Sequence, residues 1–151
     1  MKTLIICDSY FGNTQKIAEA ISNAIPKSKL INVKDFKQED LKDIELLIVG
    51  SPTRAFSPSE NTTAFLKTLP ELGNIKVGAF DTGISPDDIS SKILKLFIKL
   101  FGYASPKISK ALIKKGGIKI LEPETFFVQE NEGPLKEGEI ERAKDWVKKI
   151  S

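Results

Sequence analysis

The 151-residue sequence contains no histidine and one cysteine, Cys7. The lack of histidine excludes imidazole zinc sites, Ser-His-Asp and Cys-His catalysis, and any histidine proton relay. A single cysteine excludes an internal disulfide and a thiolate metal cluster, so no metal site is predicted. Because Cys7 lies in an apolar run, we interpret it as a small buried hydrophobe.

Long apolar runs and an excess of one charge are also lacking. No run reaches the roughly 18 apolar residues of a membrane span, and the apolar start at residues 4–7 is too short for the core of a signal peptide. Lys and Arg number 23 against 20 acids, and a net charge of +3 does not require nucleic acid as a partner. We therefore expect a protein of the reducing cytoplasm that does not span a membrane, with residues 1–151 forming one domain.

Short apolar runs alternate with helical patterns along the chain. The runs lie at 4–7, 30–33, 44–49, 77–80 and 118–121, with a further piece at 126–128 after a proline. Uniformly apolar runs are typical of strands buried on both faces of a parallel sheet. Apolar residues recur at helical spacing from 17 to 25 and from 140 to 150. This alternation predicts an α/β domain whose ligand site lies beyond the carboxyl ends of the strands.

Three serine-proline pairs are predicted to begin helices, since serine suits the N-cap and proline the first helical position. They are Ser57-Pro58, Ser85-Pro86 and Ser105-Pro106. The helices after the second and third pairs are expected to run over 86–101 and 106–115. Two glycines at 116–117 favour the end of the latter.

The loop after the first strand has the features of a phosphate site. It contains Ser9, Gly12 and Thr14 and leads into a helix. A helix N-terminus offers unpaired N–H groups and a positive dipole end. Gly12 allows the backbone to curl, and the two hydroxyls can add hydrogen bonds. The loop has neither the Gly-Lys-Ser/Thr of a Walker motif nor the three glycines of the dinucleotide fingerprint.

The pattern Ser9-x-x-Gly12-Asn13-Thr14 resembles the phosphate loop of the flavodoxin family. The resemblance continues at 50–54, at 103–105 and from 124 to 135. It implies a three-layer, doubly wound, five-stranded parallel sheet of order 2-1-3-4-5, with FMN at the switch point between strands one and three. The sequence departs from the family at Phe11, where a hydroxyl is usual, and in lacking a tryptophan near Phe56.

The resemblance also implies which residues hold the FMN. The phosphate would be bound by Ser9, Tyr10, Phe11, Gly12, Asn13 and Thr14. The ring would lie between a first loop of Ser51, Pro52, Thr53, Arg54, Ala55 and Phe56, and a second of Asp81, Thr82 and Gly83, with Tyr103 stacked on it. No side chain resembles a general acid or base, so no catalytic residue is assigned and the redox chemistry is left to the flavin.

Electron transfer with redox partner proteins, such as a reductase or an iron-sulfur protein, is the function that the resemblance implies. Two alternatives stay open. The run 52–54 is similar to that of flavin-dependent quinone reductases, which would make the chain an FMN-dependent NAD(P)H:quinone-type oxidoreductase. Phe11 and the missing tryptophan favour instead a flavodoxin-fold module that has lost its flavin.

Residues 82–121 depart from the usually acidic character of flavodoxins. They carry eight lysines and two aspartates, a net charge of +6, whereas the rest of the chain carries −3. The helix expected over 86–101 is an addition to the family pattern. It combines a broad apolar face with a stripe of Lys92, Lys95 and Lys99. Three interpretations are open: packing within the domain, a homodimer or partner contact, and a membrane surface or quinone site.

Overall fold

The apolar runs form the strands of a central sheet in the computed structural model, which describes residues 1–150. The strands are β1 (Thr3–Cys7), β2 (Ser28–Asn32), β3 (Leu46–Arg54), β4 (Ser57–Pro58), β5 (Lys76–Ile84), β6 (Ile118–Lys119) and β7 (Glu124–Val128). The helices are α1 (Asn13–Ala24), α2 (Glu60–Thr68), α3 (Lys92–Phe101), α4 (Ala104–Lys114) and α5 (Glu139–Lys148). Short 3₁₀ helices occupy Val33–Asp35, Gln38–Leu41 and Pro86–Asp88.

The parallel strands follow the predicted order, which confirms the predicted fold class. The sheet runs β2-β1-β3-β5, and its last position is shared by two short strands. β6 pairs with the start of β5 and β7 with its end, both in parallel. Pro123 lies in the break between them, where its missing N–H costs no ladder hydrogen bond. β4 is an unpredicted addition that pairs antiparallel with the end of β3.

Two apolar layers cover the two faces of this sheet. On one face Ile5 and Ile48 pack with Ile17 and Ile21 of α1 and with Trp146 of α5. On the other face β1 and β3 pack with α2 and α4. Burial raises the pKa of the Cys7 thiol to about 12, with smaller contributions from Asp8 and Glu19. Cys7 is thus a core residue, as predicted, and Trp146 is another.

The predicted helix start at Ser57-Pro58 is wrong. These two residues form β4, because their backbone pairs with Thr53 and Arg54 in a hairpin. α2 begins two residues later, after Ser59, whose Oγ accepts a hydrogen bond from the Thr62 N–H at 3.2 Å. A long-range strand pair therefore outweighs the local capping signal.

The other two serine-proline pairs also differ from expectation. Ser85-Pro86 begins a 3₁₀ helix of three residues, and α3 starts only after Ser91, whose Oγ accepts from the Leu94 N–H at 3.3 Å. α4 starts at Ala104, so Ser105 lies inside the helix. Within residues 1–150, no helix is both long enough and apolar enough to cross a membrane.

Candidate cofactor site

A cleft opens at the carboxyl edge of the sheet, where the chain segments following β1 and β7 meet the ends of β3 and β5. The cleft is shallow and open to solvent, with about 60 Å³ of space that a water-sized molecule can enter. The lining residues are Ser9, Tyr10, Phe11, Asn13, Thr14, Pro52, Thr53, Arg54, Thr82, Gly83, Ile84, Val128 and Asn131. Ten of them belong to the loops that the sequence singled out.

The N-terminus of α1 faces this cleft through Asn13 and Thr14. Gly12, the N-cap residue, has a left-handed backbone with φ of +90°, and its N–H donates to Ser9 Oγ at 2.9 Å. Among the described residues, no side chain caps the first turn of α1, which also contains no acid. The first N–H groups of the helix are therefore available to an anion.

Two contacts hold the start of α1 in place. The buried hydroxyls of Thr14 and Thr82 lie 2.7 Å apart, which joins the first loop to the end of β5. On the other side, Asn13 Nδ2 donates to the Glu132 carbonyl at 3.0 Å. Gly133, with φ of +101°, allows this approach, since a Cβ there would come within 2.6 Å of the Asn13 amide.

The ends of β3 and β5 form the opposite wall of the cleft. Pro52 lies beside Thr82 in the parallel register, so both chains present their backbone at the same level. At the rim, the Arg54 guanidinium lies 4.7 Å from the centre of the Tyr10 ring. Both side chains are exposed, and the contact joins the first loop to the β3–β4 hairpin.

A buried carboxyl lies directly beneath this wall. Asp81 accepts hydrogen bonds from Thr53 Oγ1, from Thr125 Oγ1 at 2.7 Å and from the Ala104 N–H at 3.1 Å. Burial raises its pKa to about 6, although the hydrogen bonds from Thr53, Thr125, Ser105 and Ala104 oppose the shift. Asp81 therefore ties β3, β5, β7 and the start of α4 together under the cleft.

A second buried acid anchors the first loop. Asp8 accepts from the Ser9 N–H at 3.0 Å and from Ser59 Oγ at 2.6 Å. The Ser59 N–H in turn donates to Ser51 Oγ at 2.9 Å. Asp8 and Ser51 thus fix the ends of β1 and β3 to the start of α2.

Six of the predicted site residues lie behind or beside the cleft lining. They are Gly12, Ser51, Ala55, Phe56, Asp81 and Tyr103. Gly12, Ser51 and Asp81 support the lining through the contacts described above. Ala55 and Phe56 form the tip of the β3–β4 hairpin, with left-handed φ values of +48° and +66°. The Phe56 ring turns to α3, where it contacts Phe97 and Phe101.

Tyr103 packs behind the wall of the cleft. Its hydroxyl donates to the Ile84 carbonyl at 2.7 Å, and its ring meets Phe127 edge to face. A Cβ on Gly83 would lie 3.1 Å from the Tyr103 ring, so the ring supports the backbone at Gly83. Stacking of Tyr103 on a flavin stays a prediction.

Three lining residues were missed by the sequence reasoning. Ile84 and Val128 are paired at the carboxyl ends of β5 and β7. The rule that ligands bind at carboxyl ends would have indicated Val128, which ends the run 126–128, and also Ile84 had the run 77–80 been extended. Asn131 follows β7 in an irregular loop, where no local motif marks it.

Comparisons with known proteins agree on one fold. A family model described as "Flavodoxin domain" matches residues 4–119. A flavodoxin from the domain Archaea is similar over 100% of both chains, with 20% identity and a TM-score of 0.77. Flavodoxin 2 from Bacillus cereus is similar over 99% of this chain and 97% of its own, with 20% identity and a TM-score of 0.74.

A larger protein contains the same fold as a part. Rubredoxin oxygen:oxidoreductase from Desulfovibrio gigas is similar over 99% of this chain and 35% of its own, with 21% identity and a TM-score of 0.73. No functionally curated protein matches the sequence. At these identities the likeness to solved structures is evidence of the fold.

Proposed function

The chain belongs to the flavodoxin domain family, and on that premise we propose that it binds FMN in the cleft and carries electrons between redox partner proteins. One observation carries the proposal: an open helix N-terminus, preceded by a left-handed glycine, shares a cleft with the ends of β3 and β5. When bound, FMN supplies the redox chemistry, because its ring accepts and releases electrons.

The residues of the first loop fit a phosphate. The open first turn of α1 supplies N–H donors, and its freedom from acids avoids repulsion of a dianion. Ser9 and Thr14 add hydroxyls beside it. Phe11 supplies no hydrogen bond to this set, so the backbone donors carry more of the binding. Asn13 positions the loop through its bond to the Glu132 carbonyl.

The residues of the opposite wall fit a flat ring. The backbones at Pro52, Thr53, Thr82 and Gly83 border the cleft. Arg54 adds a positive charge at the rim, which favours negative charge on a reduced ring, whereas an ionised Asp81 beneath disfavours it. The balance between these two groups would set how readily the cofactor is reduced.

The first experiment is a visible absorption spectrum of the purified protein, before and after FMN is added and the excess removed. We expect a retained flavin band whose fine structure differs from that of free FMN. A protein that is folded by circular dichroism yet leaves all FMN behind would overturn the proposal and favour the module without flavin.

A second measurement separates the carrier from the oxidoreductase. The FMN-loaded protein is mixed with NADH or NADPH and a soluble quinone. We expect negligible oxidation of the nicotinamide unless a separate reductase is added. Steady oxidation by the protein alone would show an NAD(P)H-dependent enzyme instead of a carrier.

Substitution of Thr14 tests the placement of the phosphate. We expect Thr14→Val to weaken FMN binding several-fold or more, because the loop loses a hydroxyl and Thr82 loses its buried partner. Thr14→Ser keeps the hydroxyl and is the matched control, with near-normal affinity expected. Equal FMN affinity in both variants, measured by fluorescence titration, would place the phosphate elsewhere.

A further inference from the structure

The helix α3 presents an apolar surface that the rest of the molecule does not cover. Its exposed apolar side chains, called here the α3 surface, are Ile93, Leu94, Leu96, Phe97, Leu100 and Phe101. Ile93 is 67% exposed, Leu100 65% and Leu96 53%. A contiguous apolar patch of this kind marks an interaction site. Of the three interpretations open from the sequence, packing within the domain therefore accounts for little of this helix.

The attachment of α3 to the fold is narrow. Phe97 and Phe101 stack with each other at 5.8 Å between ring centres, and each contacts Phe56 at the hairpin tip, at 6.3 Å and 5.9 Å. The other apolar side chains of the α3 surface, Ile93, Leu94, Leu96 and Leu100, stay exposed. An exposed helix with one apolar face and a lysine stripe has the pattern of a helix that lies in a membrane interface.

Positive charge lies beside the α3 surface. Lys92, Lys95 and Lys99 share one stripe of the helix, since they recur every three or four residues. The sequence from 89 to 121 contains no acid, and the preceding acid, Asp88, is paired with Lys136. On α4, Lys107 donates to the carbonyl of Phe56, which brings a further cation beside the patch.

We propose that α3 binds the surface of an anionic phospholipid bilayer. The helix would lie in the plane of the interface, with its apolar side chains at the acyl boundary and its lysines at the head groups. A second copy of this chain fits less well, because it would bring an equally basic segment against the first. Anionic lipid satisfies both the apolar area and the charge.

The location of α3 gives this contact a consequence for the cleft. Phe56, which packs on α3, belongs to the same hairpin as Arg54, and Arg54 contacts Tyr10 at the cleft rim. A bilayer held by α3 would therefore lie beside the mouth of the cleft. The lipid contact itself depends on α3 alone and does not require FMN to be bound.

Flotation with lipid vesicles tests the proposal. The full-length protein is mixed with vesicles of phosphatidylcholine alone or of phosphatidylcholine with phosphatidylglycerol. We expect flotation with the anionic vesicles, little with the neutral ones, and a loss of binding as salt is raised. Equal flotation with both, or none with either, would overturn the proposal.

Two variants assign the binding to α3. Leu96→Ser with Leu100→Ser should weaken binding to anionic vesicles about tenfold or more, since two apolar side chains leave the lipid. Lys95→Glu with Lys99→Glu should weaken it about tenfold or more through charge. The matched control is Lys27→Glu with Lys42→Glu, which makes the same change in net charge at exposed positions near the amino ends of the strands. It should retain most of the binding.

The substituted side chains are all exposed, so every variant should keep the thermal unfolding midpoint of the parent protein. This midpoint is measured before the vesicle experiments. An equal loss of vesicle binding in the Lys27 and Lys42 control would show that binding depends on net charge alone, which would overturn the proposal. A protein that does not bind vesicles could instead form a concentration-dependent dimer in sedimentation. If the two leucine substitutions abolish that dimer, a second copy of the chain covers the α3 surface and the proposal is overturned.

Discussion

At the scale of single residues, Asp81 is the group whose chemistry departs furthest from what its sequence position suggests. It follows the apolar run 77–80, where an acid often marks a ligand site, yet it lies inside β5, fully buried and satisfied by hydroxyl and N–H donors. Its role is to hold together the elements beneath the cleft. Because burial raises its pKa to about 6, its ionisation is linked to the stability of the fold.

The sign of this linkage gives a prediction. The carboxyl has a pKa near 3.8 when exposed and about 6 in the folded protein. Between those values the folded state holds a proton that the unfolded state has released, so the free energy of unfolding falls as pH rises. The loss amounts to about 3 kcal/mol when the window has been crossed.

Asp81→Asn should remove this contribution. The amide oxygen can accept from Ala104 N–H, and the amide nitrogen can donate to the Thr125 hydroxyl. We expect the free energy of unfolding of the variant, relative to that of the parent, to rise from pH 4 to pH 7. Urea unfolding of both proteins without FMN measures it. A stability difference that does not change with pH would contradict the shift in the pKa of Asp81.

At the scale of elements, the starts of the helices show how long-range contacts decide between local signals. Ser57 and Ser59 both suit an N-cap, and Pro58 favours Ser57. Ser57 pairs with Arg54 in the hairpin of β3 and β4, and Asp8 accepts a hydrogen bond from the Ser59 hydroxyl. α2 therefore starts after the serine that is hydrogen-bonded to a buried acid.

This difference predicts unequal effects of two similar substitutions. Ser59→Ala removes the cap of α2 and leaves Asp8 Oδ2 without its donor, so the free energy of unfolding should fall by about 2 kcal/mol. Ser57→Ala, the matched control, should change it by less than about 0.5 kcal/mol. Chemical denaturation of both variants measures the contrast. The reverse order of effects would show that the capping signal of Ser57-Pro58 prevails in solution.

At the scale of the whole molecule, the cleft gathers residues from segments far apart in the chain. Its walls come from the loops after β1 and β7 and from the ends of β3 and β5. A ligand that bridges these segments in the folded protein has no such site in the unfolded chain. Binding should therefore stabilise the entire fold.

Thermal unfolding with FMN measures that stabilisation. At about 100 times the dissociation constant, the ligand adds about 2.7 kcal/mol, which raises the unfolding midpoint by roughly 5–10 °C for a chain of this size. Riboflavin, which lacks the phosphate, should raise it less at the same concentration. Equal shifts with the two ligands would show that the start of α1 contributes nothing to binding.

The alternation of apolar strands with helices, the loop from Ser9 to Thr14 and the lysine stripe of α3 could be predicted from the sequence alone, because each depends on periodicity or on neighbours along the chain. The folded molecule alone reveals that Ser59 caps α2, that Tyr103 packs behind Gly83 and that Asn131 lines the cleft. The same holds for the fully buried carboxyl of Asp81 and the uncovered face of α3. Burial and long-range hydrogen bonds depend on residues that the fold brings together from distant positions, which no local pattern records.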